Sequence, residues 1–262
     1  MLIILGKILQ LNILKILRSK LSLAKVVLFI LKKKMVHFGE LYRLISFHHF
    51  IYKNKINLTG LSILDVGFNK GIFTWYFKDL LGCSNYSGVE IDKKFLNIYP
   101  NTFYHNFEKN KLKKYYDFIF CSHVLEHINN DSDFLINMVH SLNNENGKIL
   151  LRVPMPTDEK AYFRKFNSKR HQDDEHERDG YTLTELNELL SNVGLKVEKY
   201  NFCMGGLSLA IHTFFEILRD NQIRFQRVFQ IPYIIFSIID IYFFNTKSSS
   251  DLLVLAVKAP KE

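Results

Sequence analysis

Two carboxylates and two glycines dominate the chemistry legible in the first half of the chain. In "LSILDVGFNKGIFTWYF" (residues 61–77), Asp65, Gly67 and Gly71 share one short turn between an apolar run and a helical pattern, and Glu90 follows Asp65 by 25 residues. Glycines at such a turn remove side chains, so that a ligand can approach the backbone, and they adopt positive φ at no steric cost. Asn69 stands where a third glycine would be expected, and Asn is one of the few other residues that tolerates the left-handed region. A carboxylate at the end of the second strand, at this spacing, can accept both ribose hydroxyls of a nucleoside. The set describes an adenosine-containing ligand better than a bare phosphate site.

Positioning these residues requires strands and helices in alternation. Ser62–Val66, Tyr86–Ile91, "TFYH" (102–105), "DFIFCS" (117–122) and "GKILLRVP" (147–154) read as five strands. Ile72–Leu81 reads as a helix, and Phe134, Leu135, Met138, Val139 and Leu142 mark one face of another. Thr182 with Glu185 three positions on makes a capping-box start, Leu183, Leu186, Leu189, Leu190 and Val193 form the apolar stripe, and Gly194 stops it. "LKVEKYNF" (195–202) and "DLLVLAVKAP" (251–260) read as two further strands. Such alternation predicts a parallel sheet covered on both faces.

At 262 residues and 47% hydrophobic content, the chain can bury one good-sized core with appendages. Cys83, Cys121 and Cys203 are odd in number and scattered, which argues for a reducing compartment and against a disulfide framework or structural metal. The net charge of +9 raises nucleic acid and anionic membrane as partners. Much of that charge lies before residue 38, where Lys7, Lys15, Arg18, Lys25, Lys32 and Lys33 fall within an arc of roughly 100° on a helix otherwise rich in Leu, Ile, Val and Phe. A basic amphipathic arm over residues 1–50 is the expectation, lying in a membrane interface rather than spanning it. That placement, without aromatic-laced basic grooves, makes nucleic acid the weaker partner.

Residues 203–250 form an apolar insertion that includes "IPYIIFSIIDIYFF", too short to span a bilayer. "RHQDDEHERDGY" (170–181) has His171 and His176 among acids, but its spacing fits no zinc or di-iron motif, so the stretch reads as a solvated loop with no metal assigned. Glu126 and His127 in "LEHI" read as a helix-start charge and a structural or loop histidine.

"ILDVGFNKG", "YSGVEID", "YYDFIFCSHVLEHI" and "NGKILLRVP", in this order and at these intervals, resemble the class I S-adenosylmethionine-dependent methyltransferases, in particular the subgroup with a hydrophobic-Leu-Glu-His segment after the fourth strand. The resemblance covers roughly residues 60–202, with the strand at 251–258 completing the family's sheet. It implies an α/β, Rossmann-like doubly wound, mostly parallel seven-stranded sheet within a methyltransferase domain over residues 51–262. It also implies that Asp65, Gly67, Asn69 and Gly71 surround the methionine and ribose part of S-adenosyl-L-methionine, with Glu90 on the ribose. Asn106 stands where the family often has an acid for the adenine amine, Phe107 is placed to pack on the ring, and Cys121 and Ser122 lie beneath the cofactor. Asn69 and Asn106 are the departures from the family pattern.

Methyl transfer from a sulfonium is an in-line displacement, so positioning and exclusion of water carry most of the catalysis. A hydroxyl acceptor adds the need for a general base, for which histidine is suited near neutral pH. In the family, the segment after the fifth strand carries lid and substrate contacts; here it is 155–181, which makes His171 and His176 the expected bases. Together with the apolar segments, the resemblance implies O-methylation of a saccharide, lipid-linked glycan or lipid at the cytoplasmic face of a membrane. The rival readings are an RNA methyltransferase and a non-catalytic cofactor-fold scaffold.

Overall fold

The computed structural model describes residues 25–28, 38–143, 146–156, 176–220, 230–243 and 249–260. Seven strands form one sheet: β1 (Ile63–Val66), β2 (Tyr86–Glu90), β3 (Thr102–Tyr104), β4 (Phe118–Ser122), β5 (Lys148–Pro154), β6 (Leu195–Cys203) and β7 (Asp251–Lys258). Their order is β3-β2-β1-β4-β5-β7-β6. The first five run parallel, and β7 is antiparallel to both β5 and β6. This is the doubly wound, mostly parallel arrangement expected from the alternation. Strand β1 is buried along its whole length and β4 over Phe118–Cys121, and apart from Asp65 these buried positions are apolar because both faces of the sheet are covered.

The helices are α1 (Phe38–Lys53), α2 (Ile72–Trp75), α3 (Asp131–His140), α4 (Leu183–Asn192), α5 (Gly206–Asp220) and α6 (Gln230–Phe243). One apolar layer joins α1, α2, α5 and α6 to the sheet through Phe47, Phe50, Phe73, Phe77, Phe120 and Leu150. The other joins α3 and α4 to the opposite face through Ile119, Leu135, Met138, Leu151, Leu186 and Leu190. The capping box at Thr182 is present, its hydroxyl accepting from Glu185 N while Thr182 N donates to the Glu185 carboxylate. The helix expected over Ile72–Leu81 instead widens into a π-turn at Tyr76–Leu80. The looser winding brings the adjacent Tyr76 and Phe77 into the interior together, packed edge-on against Phe47.

Helix α1 runs across residue 50, and Leu41, Tyr42, Leu44, Ile45, Phe47 and Phe50 are buried along it. The basic residues nearest to it on the N-terminal side, Lys32–Lys34, lie outside the described residues, as does almost all of the basic stretch. Among the described residues, no helix is long and apolar enough to cross a membrane.

One charge sits in the middle of a core strand. Arg152 on β5 is 1% exposed; its Nε and Nη2 lie 2.8 and 2.7 Å from Asp251 Oδ2 at the start of β7, and its Nη1 donates to Arg43 O at 3.0 Å and Ser46 Oγ at 2.9 Å. Burial alone would raise the Asp251 pKa, but Arg152 and His123 hold it well below the usual carboxylate range. A depressed folded pKa stabilises above the unfolded value of about 4, and that contribution is lost as pH falls below it. Breaking a buried pair strands one charge, whereas replacing both partners does not. Arg152→Met should therefore lower stability at pH 7 by about 3–5 kcal/mol in urea denaturation, and Arg152→Met with Asp251→Leu by less than either single change. Additive losses in the double variant would contradict the pairing.

Candidate functional site

The winding direction reverses between β1 and β4, and a ligand in a sheet of this kind binds outside the carboxyl ends at such a point. A cavity of about 280 Å³ lies there. Asp65, Gly67, Phe68 and Asn69 border it from β1 and its turn, Ser122 and His123 from the end of β4, Glu40 and Arg43 from α1, and His212 from α5. A larger, more apolar cavity of about 510 Å³, lined in part by His48, Tyr52, Leu58 and Tyr76, contains none of the turn residues, so its size does not make it the stronger candidate.

The turn has the backbone its sequence requires. Gly67, Asn69 and Gly71 have φ of 71°, 47° and 74°. A Cβ at Gly67 would lie 2.3 Å from Val124 Cγ2, and one at Gly71 would lie 2.0 Å from the Tyr99 ring. Glu90 fastens the turn to β2: its Oε2 accepts from Asn69 N at 3.0 Å, and its Oε1 accepts from Ile91 N at 2.8 Å and Asp92 N at 3.3 Å. A carboxylate offers about four lone-pair sites, so Glu90 keeps capacity to accept from a ligand while it holds Asn69 in the left-handed region.

Asp65 is buried, and its Oδ2 accepts from Tyr86 Oη at 3.0 Å. Burial pushes its pKa up to about 7, the Tyr86 hydrogen bond opposes this and the Glu90 charge adds to it. A carboxylate so placed on a cavity wall favours a cationic ligand group, which would offset its desolvation.

The remaining expected residues are spread more widely. Asn106 Oδ1 accepts from Glu108 N at 2.8 Å and so shapes the turn after β3. The Phe107 ring is 2% exposed and packs edge-on against Phe134, inside the core. Cys121 is likewise buried, and burial, with Glu126 and Asp65 nearby, pushes its thiol pKa up, so it is a packing residue and not a nucleophile. Its neighbour Ser122 reaches the cavity. His171 lies outside the described residues. His176 is described, and its ring stands 4.3 Å from that of His127. In the described part of 170–181, Glu177 and Asp179 are exposed as a solvated loop requires, whereas the segment's end is held in the fold. Tyr181 is buried, its hydroxyl donating to Leu125 O and Asp131, and Arg178 pairs with Asp131 at 2.8 Å. An aromatic residue closing the acidic stretch was the available signal.

His123 and Glu126 were not legible as site residues. His123, with φ of 53°, sits between two buried carboxylates: Nδ1 is 3.2 Å from Glu126 Oε1 and Nε2 is 3.3 Å from Asp251 Oδ2. Both ring nitrogens are engaged, so it braces the cavity wall instead of offering a free base. Glu126 stands in the first turn of a short 3-10 helix (Leu125–His127), as a helix-start charge would, but it is fully buried.

Two outcomes follow from this geometry. Without ligand, Asp65 costs stability as pH rises from about 4 to about 7, because the folded state binds the proton more tightly there. Asp65→Asn should flatten that slope and raise stability at pH 8 by roughly 2–4 kcal/mol; a melting-temperature series from pH 5 to 8 that is parallel in both proteins would contradict it. Gly67→Ala should destabilise the protein, since the Cβ meets Val124 and φ is unfavourable, and a wild-type melting temperature in the variant would refute the tight approach.

A family profile described as a methyltransferase domain matches residues 35–200, more than half of the chain. No curated protein sequence matches the chain. Among solved structures, a SAM-dependent methyltransferase from Archaeoglobus fulgidus has a TM-score of 0.54 at 17% identity, covering 82% of this chain and 93% of that one. The O-methyltransferase from a trans-AT PKS multienzyme of Brevibacillus brevis, in complex with S-adenosyl-L-homocysteine, has a TM-score of 0.51 at 19% identity, covering 98% of this chain and 79% of that one. Coclaurine N-methyltransferase, bound to N-methylheliamine and S-adenosyl-L-homocysteine, has a TM-score of 0.51 at 14% identity, covering 84% and 71%. At these identities the likeness is one of fold.

Proposed function

The chain belongs to the methyltransferase-domain family, and on that premise we propose that it moves the methyl group of S-adenosyl-L-methionine to an oxygen of a saccharide, lipid-linked glycan or lipid at the cytoplasmic face of a membrane. The bound cofactor would supply a methyl group on a cationic sulfur. Asp65 would face the cationic part of that molecule and Glu90 the ribose hydroxyls, while Gly67 and Gly71 would give the turn its shape through positive φ and close approach to Val124 and Tyr99. Phe68 and Phe73 on the cavity wall limit access of water. For the acceptor's proton we keep His171 as the base, because the His176 ring is engaged with His127.

The membrane part of the proposal is carried by α6. Tyr233, Ile234, Ser237, Asp240 and Ile241 are buried, and Asp240 accepts from Tyr42 Oη at 3.0 Å, Gly205 N at 2.8 Å and Ser208 N at 3.1 Å. The helix is thus anchored on one side, yet Ile231, Ile235, Phe236, Ile239 and Tyr242 are all more than a third exposed on the other. A continuous apolar face of this kind suits the headgroup–acyl boundary and a lipid-bearing acceptor.

Flotation of the full chain with vesicles containing anionic lipid tests this reading. The wild type should float, and Ile235→Glu with Phe236→Glu should reduce the floating fraction at least about tenfold, since each buried side chain contributes roughly 1.5–3 kcal/mol. Wild-type protein that stays with the soluble fraction would sink the membrane placement. Separately, His171→Ala should lower transfer of labelled methyl to an envelope lipid or glycan extract with unchanged cofactor affinity; unchanged transfer would remove His171 as the base.

A further inference from the structure

We propose that Glu126, His127 and His176 form a binding site for a divalent first-row transition ion. One ligand atom from each of the three lies within 4.8 Å of the others. The two imidazoles meet edge-to-face, with centroids 4.3 Å apart and planes at 84°. An ion with bonds of about 2.1 Å holds tetrahedral ligand atoms about 3.4 Å apart, so side-chain rotation of about an ångström closes the set.

Independent observations point to the same place. Glu126 is fully buried; its Oε1 is engaged with His123 Nδ1 at 3.2 Å, while its Oε2 has no hydrogen-bond partner. A buried carboxylate oxygen without a partner is costly, and a cation beside it would offset that cost. His123 then has the place of an outer partner that orients a ligating carboxylate. The backbone sets residue 176 over this turn without help from the three side chains: Glu177 N and Arg178 N both donate to Glu126 O, at 3.0 and 3.4 Å. Tyr181 Oη donates to Leu125 O at 3.2 Å, and Arg178 pairs with Asp131. The ligands stand on a pre-assembled frame.

Two imidazoles and one carboxylate suit Zn²⁺, Mn²⁺, Fe²⁺ or Co²⁺ and not Ca²⁺ or Cu⁺. Three protein ligands leave at least one coordination position open. His123 borders the methyl-transfer cavity and also touches Glu126, so the ion would stand one side chain from that cavity. His127 and His176 are 49 residues apart, which is why no local spacing announces the site.

The test is titration of the chelator-treated full chain with Zn²⁺ and, in parallel, with Co²⁺ followed by visible absorption. The wild type should bind one equivalent, with a Co²⁺ spectrum of nitrogen and oxygen ligation. His127→Ala and His176→Ala should each weaken binding at least about tenfold, and His123→Gln by roughly 10–100-fold through Glu126. Circular dichroism melts without metal establish that each variant is folded, and affinity for S-adenosyl-L-homocysteine keeps this proposal separate from the methyltransferase reading. Failure of the folded wild type to bind an equivalent, or undiminished binding by His127→Ala with His176→Ala, would overturn the site.

Discussion

The ion pair between Arg152 and Asp251 is the interaction on which the arrangement around the site depends. Arg152 lies in the middle of a strand buried on both faces, where an unpaired guanidinium could not be sustained. Its partner opens β7, the strand that reverses the sheet direction, so the pair fastens the antiparallel end of the sheet to its parallel part. The same guanidinium reaches Arg43 O and Ser46 Oγ, which docks α1 across the strand ends. Asp251 also meets His123, and His123 meets Glu126. A line of paired polar side chains therefore runs from the sheet core to the cavity wall, and it fixes how β4, β7 and α1 converge there.

A second buried carboxylate organises the helical layer in a similar way. Asp240 accepts from the backbone at the start of α5 and from Tyr42 on α1, so three helices are held by one side chain whose hydrogen-bond partners are all internal. That anchor allows α6 to expose isoleucine and phenylalanine on its other side without sliding to bury them. Core and exposed face of α6 are both apolar in composition, and a polar anchor is what tells them apart.

Local signals in the sequence carried the fold well. Continuous apolar runs marked the parallel strands, Thr182 and Glu185 marked the start of α4, and Gly67, Asn69 and Gly71 marked a turn that needs positive φ at all three positions. Glu90 was legible from its distance to Asp65, although its backbone hydrogen bond to Asn69 was not. The pairings that escaped notice join residues far apart in the chain: Arg152 with Asp251, His123 with Asp251, and His176, itself read as a candidate base, with His127. No periodicity reports such pairings, because they exist only once the sheet is assembled. Phe107 was misjudged for a related reason. An aromatic ring beside a ligand loop can face the ligand or the core, and here Phe134 and the second apolar layer take it inward. Charge patterning likewise assigned residues up to 50 to a basic arm, whereas the apolar face of α1 is part of the main core.

The proposed hold on S-adenosyl-L-methionine rests on Asp65 in β1, the turn between β1 and α2, and Glu90 at the end of β2. Calorimetric titration of the full chain with S-adenosyl-L-homocysteine, beside Glu90→Ala, tests it most directly. One-to-one binding in the wild type that is lost in a folded Glu90→Ala variant is the expected result. Absence of binding to the intact protein, or unchanged affinity in Glu90→Ala, would contradict it.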